Sequence, residues 1–301
     1  MKIFYHLDLD GKAAGAIVLR CAAQHDRYPV ECIEINYGMA FPFDRIREDE
    51  QVWIVDYSIL PEEMDKLFAI TNDVVWIDHH KSAIQRYDDY PRNINGVRYD
   101  GIAGCMLTWA YVKHIANTSI YKSKPEFAPN MCDDAPMCVK YIGDYDVWRF
   151  EYGEDTKDYH FYLESFSDNE IRPEGKVWNH LLGRDLDQGT NAYLLDVGNA
   201  IRGYRENLMS QYVKAYGFET ELMGYKCFAV NIGMISSDDF ASINADNYDV
   251  MIGFCTDGKQ WRYSLRSSTV DVSLIAIQFG GGGHKGAAGF ATDDNILRCG
   301  G

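Results

Sequence analysis

The first quarter of the chain alternates apolar runs with helix-like segments, and this order restricts the fold more than any other feature. KIFYHLDLD reads as a strand with its exit, GKAAGAIVLRCAAQH as a helix and VECIEINY as a second strand. QVWIVDYS follows as a third strand, PEEMDKLFAIT as a helix opened by Pro61, and DVVWIDHH as a fourth strand. Strands separated by helices imply a parallel sheet, whose chemistry gathers at the carboxyl ends of the strands.

Those ends carry titratable side chains. The first supplies His6, Asp8 and Asp10, with alternate positions projecting to one side if the backbone stays extended. The third supplies Asp56, the fourth Asp78, His79 and His80, and GDYDVW later offers Asp144 and Asp146. Each has an ordinary structural reading by itself: His6 as a buried or capping histidine, Asp10-Gly11 as a turn, Asp56 and Ser58 as caps of the helix at Pro61. Together those readings require several independent coincidences at the ends of successive strands. Converged on one face, the groups would give six or seven oxygen and imidazole ligands, enough for two divalent ions sharing a carboxylate. Mixed nitrogen and oxygen donors suit manganese, or magnesium or another first-row divalent ion, better than a thiolate zinc site. Two such ions roughly 3.5 to 4 Å apart clamp in-line attack on phosphorus.

The rest of the chain is read more coarsely. GIAGCMLTWAYVKHIA and APMCVKYI are expected as helices, and from about Glu151 to Leu222 the pattern is helical and charged. YKCFAVNI, YDVMIGFCTDG and KQWRYSLRSS read as strands, the last two joined around Asp257-Gly258, and VDVSLIAIQF as a helix before GGGGHKGAAGF. The expected class is α/β: a parallel-sheet catalytic domain over 1-190, a helical linker over 191-222 and a smaller mixed α/β domain over 223-301, with a cleft between the domains.

The 301 residues carry a formal charge of −16, which argues against a broad basic surface for long duplex nucleic acid. No apolar run has the length of a membrane helix, and MKIFYHLDLDG carries acidic residues where a signal peptide would be apolar, so a cytoplasmic location is expected. The eight cysteines form no C-x-x-C pair and read as reduced thiols. A homodimer through the middle segment is compatible with the pattern.

HLDLDG, VDYS, IDHHKS and GDYDVW, in this order and followed by GGGGHKGAAGF, resemble the DHH superfamily of metal-dependent phosphoesterases with its associated C-terminal domain. That superfamily includes RecJ-like exonucleases, nanoRNA-degrading oligoribonucleases, cyclic-dinucleotide phosphodiesterases and family II pyrophosphatases. The spacing of His6, Asp8 and Asp10, and the D-x-D-x-W element, are nearer to the oligoribonuclease-B and cyclic-nucleotide-phosphodiesterase-like branch than to the pyrophosphatases. The resemblance implies that His6 and Asp8 bind one ion and Asp10 and His79 the second, with Asp56 bridging and Asp144 or Asp146 completing the ligands of the second ion. His80 would stand beside the reacting phosphate, with Asp78 orienting a histidine.

Six glycines in ten residues, Gly280 to Gly289, allow close approach of an anion to backbone N–H groups. The run has neither the Walker order nor the dinucleotide-fold order of glycines. By the resemblance, Gly281, Gly282, Gly283 and His284 would grip a terminal nucleotide or phosphate, and Arg266 with Ser267 in SLRSS would add a bidentate phosphate contact. Tyr37, like the other tyrosines, could stack on a base, and the sequence selects none of the 21.

The expected activity is two-metal hydrolysis of short oligoribonucleotides or linear dinucleotides from one end. Phosphoadenosine phosphate and cyclic mono- or dinucleotides are alternative substrates, and a non-catalytic nucleotide sensor is the alternative of a different class.

Overall fold

The computed structural model describes residues 1–25, 29–116, 127–183, 188–233, 240, 243 and 247–297. The chain divides into two units, Met1–Ile201 and Arg202–Gly301.

In the first unit, β1 (Lys2–His6), β2 (Glu31–Ile35), β3 (Val52–Val55) and β4 (Val74–Ile77) form a parallel sheet in the order β2-β1-β3-β4. VWIV and VVWI are apolar at every position because helices cover both faces. The two-residue period of β1 divides its side chains: Ile3 and Tyr5 pack with Ala13, Ile17 and Leu107, whereas Phe4 packs with Ile54, Met64 and Trp76. α1 (Leu9–Gln24) lies after β1, α2 (Pro61–Ile70) after β3 and α3 (Lys81–Arg86) after β4. The first strand has β2 on one side and β3 on the other, so the order reverses there. Such a reversal opens a crevice at the carboxyl ends, and the candidate residues line it.

α4 (Gly104–Ala110) is shorter than the expected helix, since Tyr111–Ile115 continue as a π-helical turn. α5 (Met137–Asp146) runs on through GDYD, placing both aspartates of D-x-D on a helix. α6 (Glu154–Glu164), α7 (Asp168–Ile171) and α8 (Val177–Leu181) complete the larger core. α9 (Gln188–Tyr216) crosses the division between the units.

The second unit holds β5 (Gly217–Leu222), β6 (Tyr225–Asn231), β7 (Val250–Thr256), β8 (Trp261–Arg266), β9 (Gly282–His284) and β10 (Ala287–Thr292). They form one sheet in the order β5-β6-β7-β8-β10-β9, antiparallel except at β6-β7. α10 (Val272–Gln278) covers it through Val272, Ile275 and Ala276. The hairpin at Asp257-Gly258 is present, with the Asp257 carboxylate accepting from Lys259 N and Gln260 N, both at 2.9 Å.

The linker expected over 191-222 is helical only to Tyr216; residues 217–222 are the edge strand β5. GFETEL alternates partly covered and exposed side chains, as a one-sided edge strand does, and its charges resemble those of the helix before it. The division itself falls inside α9, after Ile201. No helix among the described residues is long and apolar enough to cross a membrane.

Candidate metal centre

Strand ends, one turn and one helix end bring the candidate ligands together in the first unit. His6 closes β1, and Asp8 then caps α1, its carboxylate accepting from Gly11 N at 2.9 Å. Asp10 lies in the first turn of α1, so the expected extended HLDLD backbone is replaced by a strand, a cap and a helical turn. Its buried carboxylate accepts from Gly104 N at 2.6 Å and Cys105 N at 2.8 Å, capping α4 from another element. Gly104 is required at this contact, because a Cβ there would meet Asp56 Cβ at 2.7 Å and Asp10 Oδ2 at 3.0 Å.

Asp56 follows β3 in the left-handed region, at φ 54°, a conformation that costs a non-glycine residue about 1–2 kcal/mol. It is only 1% exposed. Its Oδ2 is 3.7 Å from His6 Nδ1 and its Oδ1 3.1 Å from His79 Nε2, yet neither oxygen has a hydrogen bond of proper geometry. His6 Nδ1, 2.6 Å from Asp8 Oδ2, and Asp146 Oδ2, 3.5 Å from His79 Nε2, are likewise buried and unsatisfied. Atoms this close that do not point at one another as donor and acceptor are arranged as ligands of a common ion would be.

Three interlocking sets could each hold an ion: His6, Asp8 and Asp56; Asp10, His79 and Asp146; and Asp56, His79 and His80. The electrostatics call for a cation. Burial, then Asp10 and Asp8 beside it, holds the Asp56 carboxyl well above its ordinary value. Burial and Asp10 do the same to Asp146. Burial alone would lower His6, but the Asp56 and Asp8 carboxylates outweigh it and push the imidazole up to about 10. His79 is raised against its burial by Asp10 and Asp146. The donors are carboxylate oxygens and imidazole nitrogens with no thiolate, a set that fits divalent metal ions.

The two aspartates of GDYDVW separate. Helical residues two apart point about 200° from each other, so only one can face the crevice. Asp146 does. Asp144 faces away, and its buried carboxylate accepts from Glu151 N at 2.9 Å, Tyr152 N at 3.3 Å and the Thr156 hydroxyl. The choice the sequence left open therefore falls geometrically on Asp146, and Asp144, expected among the ligands, lies outside the three sets.

Asp78 is fully buried and also stands outside them as a ligand, in keeping with an orienting role. It accepts from His79 N at 2.8 Å, His80 N at 3.3 Å and the Ser58 hydroxyl, and one oxygen is 2.7 Å from His80 Nδ1. Burial would raise its carboxyl; the hydrogen bond with His80, then the His80 charge and the Ser58 bond, hold it below the ordinary value. Asn36, unselected from the sequence, sits with Oδ1 3.4 Å from His6 Nε2. That contact leaves Nδ1 as the nitrogen facing Asp8 and Asp56. Its signal was its place, just past the end of β2.

In the second unit the expected binding residues are differently employed. The Ser267 hydroxyl donates to Asp249 O at 2.7 Å and accepts from Val270 N at 2.9 Å and Thr269 N at 3.1 Å. The guanidinium of Arg266 donates to Leu265 O at 2.9 Å. Gly281 N donates to Ala276 O, Gly282 and Gly283 pair with Gly289 and Ala288, and the run is a short strand in place of an open anion loop. His284 ends β9; its side chain lies outside the described residues.

No protein-family model matches the chain. It is 24% identical over 269 residues, 85% of its length, to an uncharacterized protein of Acanthamoeba polyphaga mimivirus, and it spans 56% of the length of that relative. Among solved structures, a pGpG-specific phosphodiesterase from Vibrio matches 97% of this chain and 93% of that one, with a TM-score of 0.51 at 10% identity. The DHH domain of a member of a family of ribosomal proteins matches 96% and 81%, with a TM-score of 0.53 at 14% identity. With the parallel four-stranded sheet and the separate mixed sheet in place, the chain shares the two-domain α/β fold of these solved structures, one of them described as a DHH domain.

Proposed function

We propose that the chain is a metal-dependent phosphodiesterase that hydrolyses short oligoribonucleotides or linear dinucleotides from one end. The observation that carries this reading is the buried, unsatisfied Asp56, which belongs to two of the three ligand sets, with His79 linking the third. His6, Asp8 and Asp56 would hold one ion and Asp10, His79 and Asp146 a second, with Asp56 shared; manganese is the proposed metal. When bound, such ions supply a water that is deprotonated near neutral pH and offset charge on the attacking and leaving oxygens.

The chain's own residues do the rest. Asn36 sets the tautomer of His6, and the α4 N–H groups fix the Asp10 carboxylate. Asp78 locks His80 through Nδ1 and the backbone N–H groups of His79 and His80, so His80 can give a proton at Nε2 to the leaving oxygen. The substrates proposed are short or end-presented ones. The net charge of −16 supports that limit, since it disfavours long polyanions. One neighbour in fold is named a pGpG-specific phosphodiesterase, in keeping with a dinucleotide substrate.

The test is hydrolysis of 5′-labelled RNAs of two, five and about twenty nucleotides, the longest chosen to exceed a small-molecule cleft, with manganese and with chelator. Metal-dependent loss of the two- and five-mers is expected, and the product ladder reports the end attacked. Cleavage of monoesters alone, or of none of these, overturns the reading.

A further inference from the structure

We propose that Tyr37 is the base-contacting residue of the metal-cluster side of the site, so that the substrate is a nucleoside phosphodiester and not an inorganic phosphate chain. This rests on the phosphodiesterase reading above and adds what the substrate must carry next to its reacting phosphate.

Of the many tyrosines, the structure singles out this one by place. Its ring centroid is 5.6 Å from that of His6 and 5.9 Å from that of His80, the latter edge-on at 78°. It thus stands beside both a candidate metal ligand and the candidate proton donor, whose own ring centroids are 6.4 Å apart. The residue is 50% exposed, although it lies against three other rings. One side of the ring is backed by Tyr57, 4.8 Å away and inclined by 30°, which is itself only 6% exposed. A half-exposed ring backed by a buried one has the form of a stacking platform, since an aromatic side chain can accept any base on its face.

The position is fixed from the same residue that fixes His6. Asn36 Oδ1 accepts from Tyr37 N at 2.8 Å while lying 3.4 Å from His6 Nε2, and the Tyr57 hydroxyl donates to Asn36 O at 3.4 Å. Gly38, at φ 86°, then turns the chain away. Met39, two residues on from Tyr37 and 60% exposed, supplies further apolar surface. Burial and the nearby Asp78 and Asp56 charges hold the phenol above its ordinary value, so it remains neutral beside the carboxylates. Nothing in this arrangement reads a base edge, so the contact selects for a base without choosing among bases.

The test compares a diribonucleotide with the same molecule lacking one base, in the wild type, Tyr37→Ala, Tyr37→Phe and Tyr37→Trp, together with binding of a 2-aminopurine dinucleotide read by its fluorescence with calcium. Wild type should prefer the intact dinucleotide in kcat/KM by roughly tenfold or more, the scale of one base-aromatic stack. That preference and the 2-aminopurine quench at saturating protein should collapse in Tyr37→Ala and persist in the Phe and Trp variants. If wild type binds and cleaves the dinucleotide but Tyr37→Ala keeps the preference and the quench, the inference fails alone. If wild type neither binds nor cleaves either molecule, the functional reading fails with it.

Discussion

At the strand ends of the first unit, the side chains singled out by the sequence converge with buried atoms left unsatisfied; in the second unit, those in SLRSS are already spent on the backbone around them. Asp56 has no hydrogen bond to either oxygen, whereas the Ser267 hydroxyl makes three contacts that close its own turn. The difference separates two kinds of sequence evidence. Polar residues at the ends of parallel strands are brought together by topology, which the sequence order dictates. A serine or glycine after an antiparallel strand also has local work to do, and composition does not tell that work from ligand binding.

The sharpest way to break this contrast is Asp56→Asn. Hydrolysis should fall by roughly a thousandfold, the scale of removing a charged group that acts on the reacting centre, while the metal-free protein melts higher because a buried carboxyl crowded by Asp10 and Asp8 becomes a neutral amide. Undiminished turnover would remove Asp56 from the centre of the site.

Asp146→Ala and Asp144→Ala divide the same contrast within one helix end. The first should weaken manganese binding, followed by titration calorimetry, and cut turnover by about a hundredfold. The second should cost about 2–3 kcal/mol of stability in urea unfolding, because three donors lose their buried acceptor. Reversed effects would make Asp144 the ligand.

A smaller effect is expected in pH. His6 binds its proton more tightly folded than unfolded, its value moving from 6.5 to about 10. Its contribution to metal-free stability is therefore fully present below 6.5 and lost as pH rises through about 10. The raised Asp56, Asp146 and His79 act in the same direction, whereas the lowered Asp8 and Asp78 contribute stability that is lost only where acid protonates them. Scanning fluorimetry with chelator should show the melting point falling by a few degrees from about pH 6 to 10, and added manganese should reverse the trend because ligands bind metal deprotonated. An unchanged melting point would show that the cluster is not electrostatically burdened.

The mildest substitution is Ser267→Ala, expected to lower stability by about 1–2 kcal/mol. A tenfold rise in KM with no loss of stability would instead show that the hydroxyl meets substrate, and the contrast between the units would dissolve.

Much of the fold was legible because VWIV and VVWI are short, branched apolar runs of the kind that form strands buried on both faces, and Pro61 marks a helix start. That His6, Asp56 and His79 would lie together was legible from strand ends. The means of convergence was not: HLDLD looks like alternation on a strand, but Asp8 caps α1 and Asp10 belongs to its first turn. Likewise GDYD looks like a turn until α5 is known to reach Asp146, and only helical rotation then decides between its aspartates. Gly104 and Asn36 stayed hidden because their roles are contacts with Asp10, Asp56 and His6, far off in sequence. β5 was hidden by charges that continue the pattern of α9.

The order of the ligands along the chain has a consequence for synthesis. His6, Asp8 and Asp56 have all been made long before Asp146, which follows Asp56 by roughly 90 residues, or about 5 to 20 seconds of translation. A nascent chain thus owns one candidate ligand set well before the other. During that interval Asp10 and His79 await both their third partner and the α4 N–H groups that hold Asp10. The second set is born dependent on the first half of the molecule being finished, so a chain cut short before Asp146 would carry His6, Asp8 and Asp56 without the complete second set.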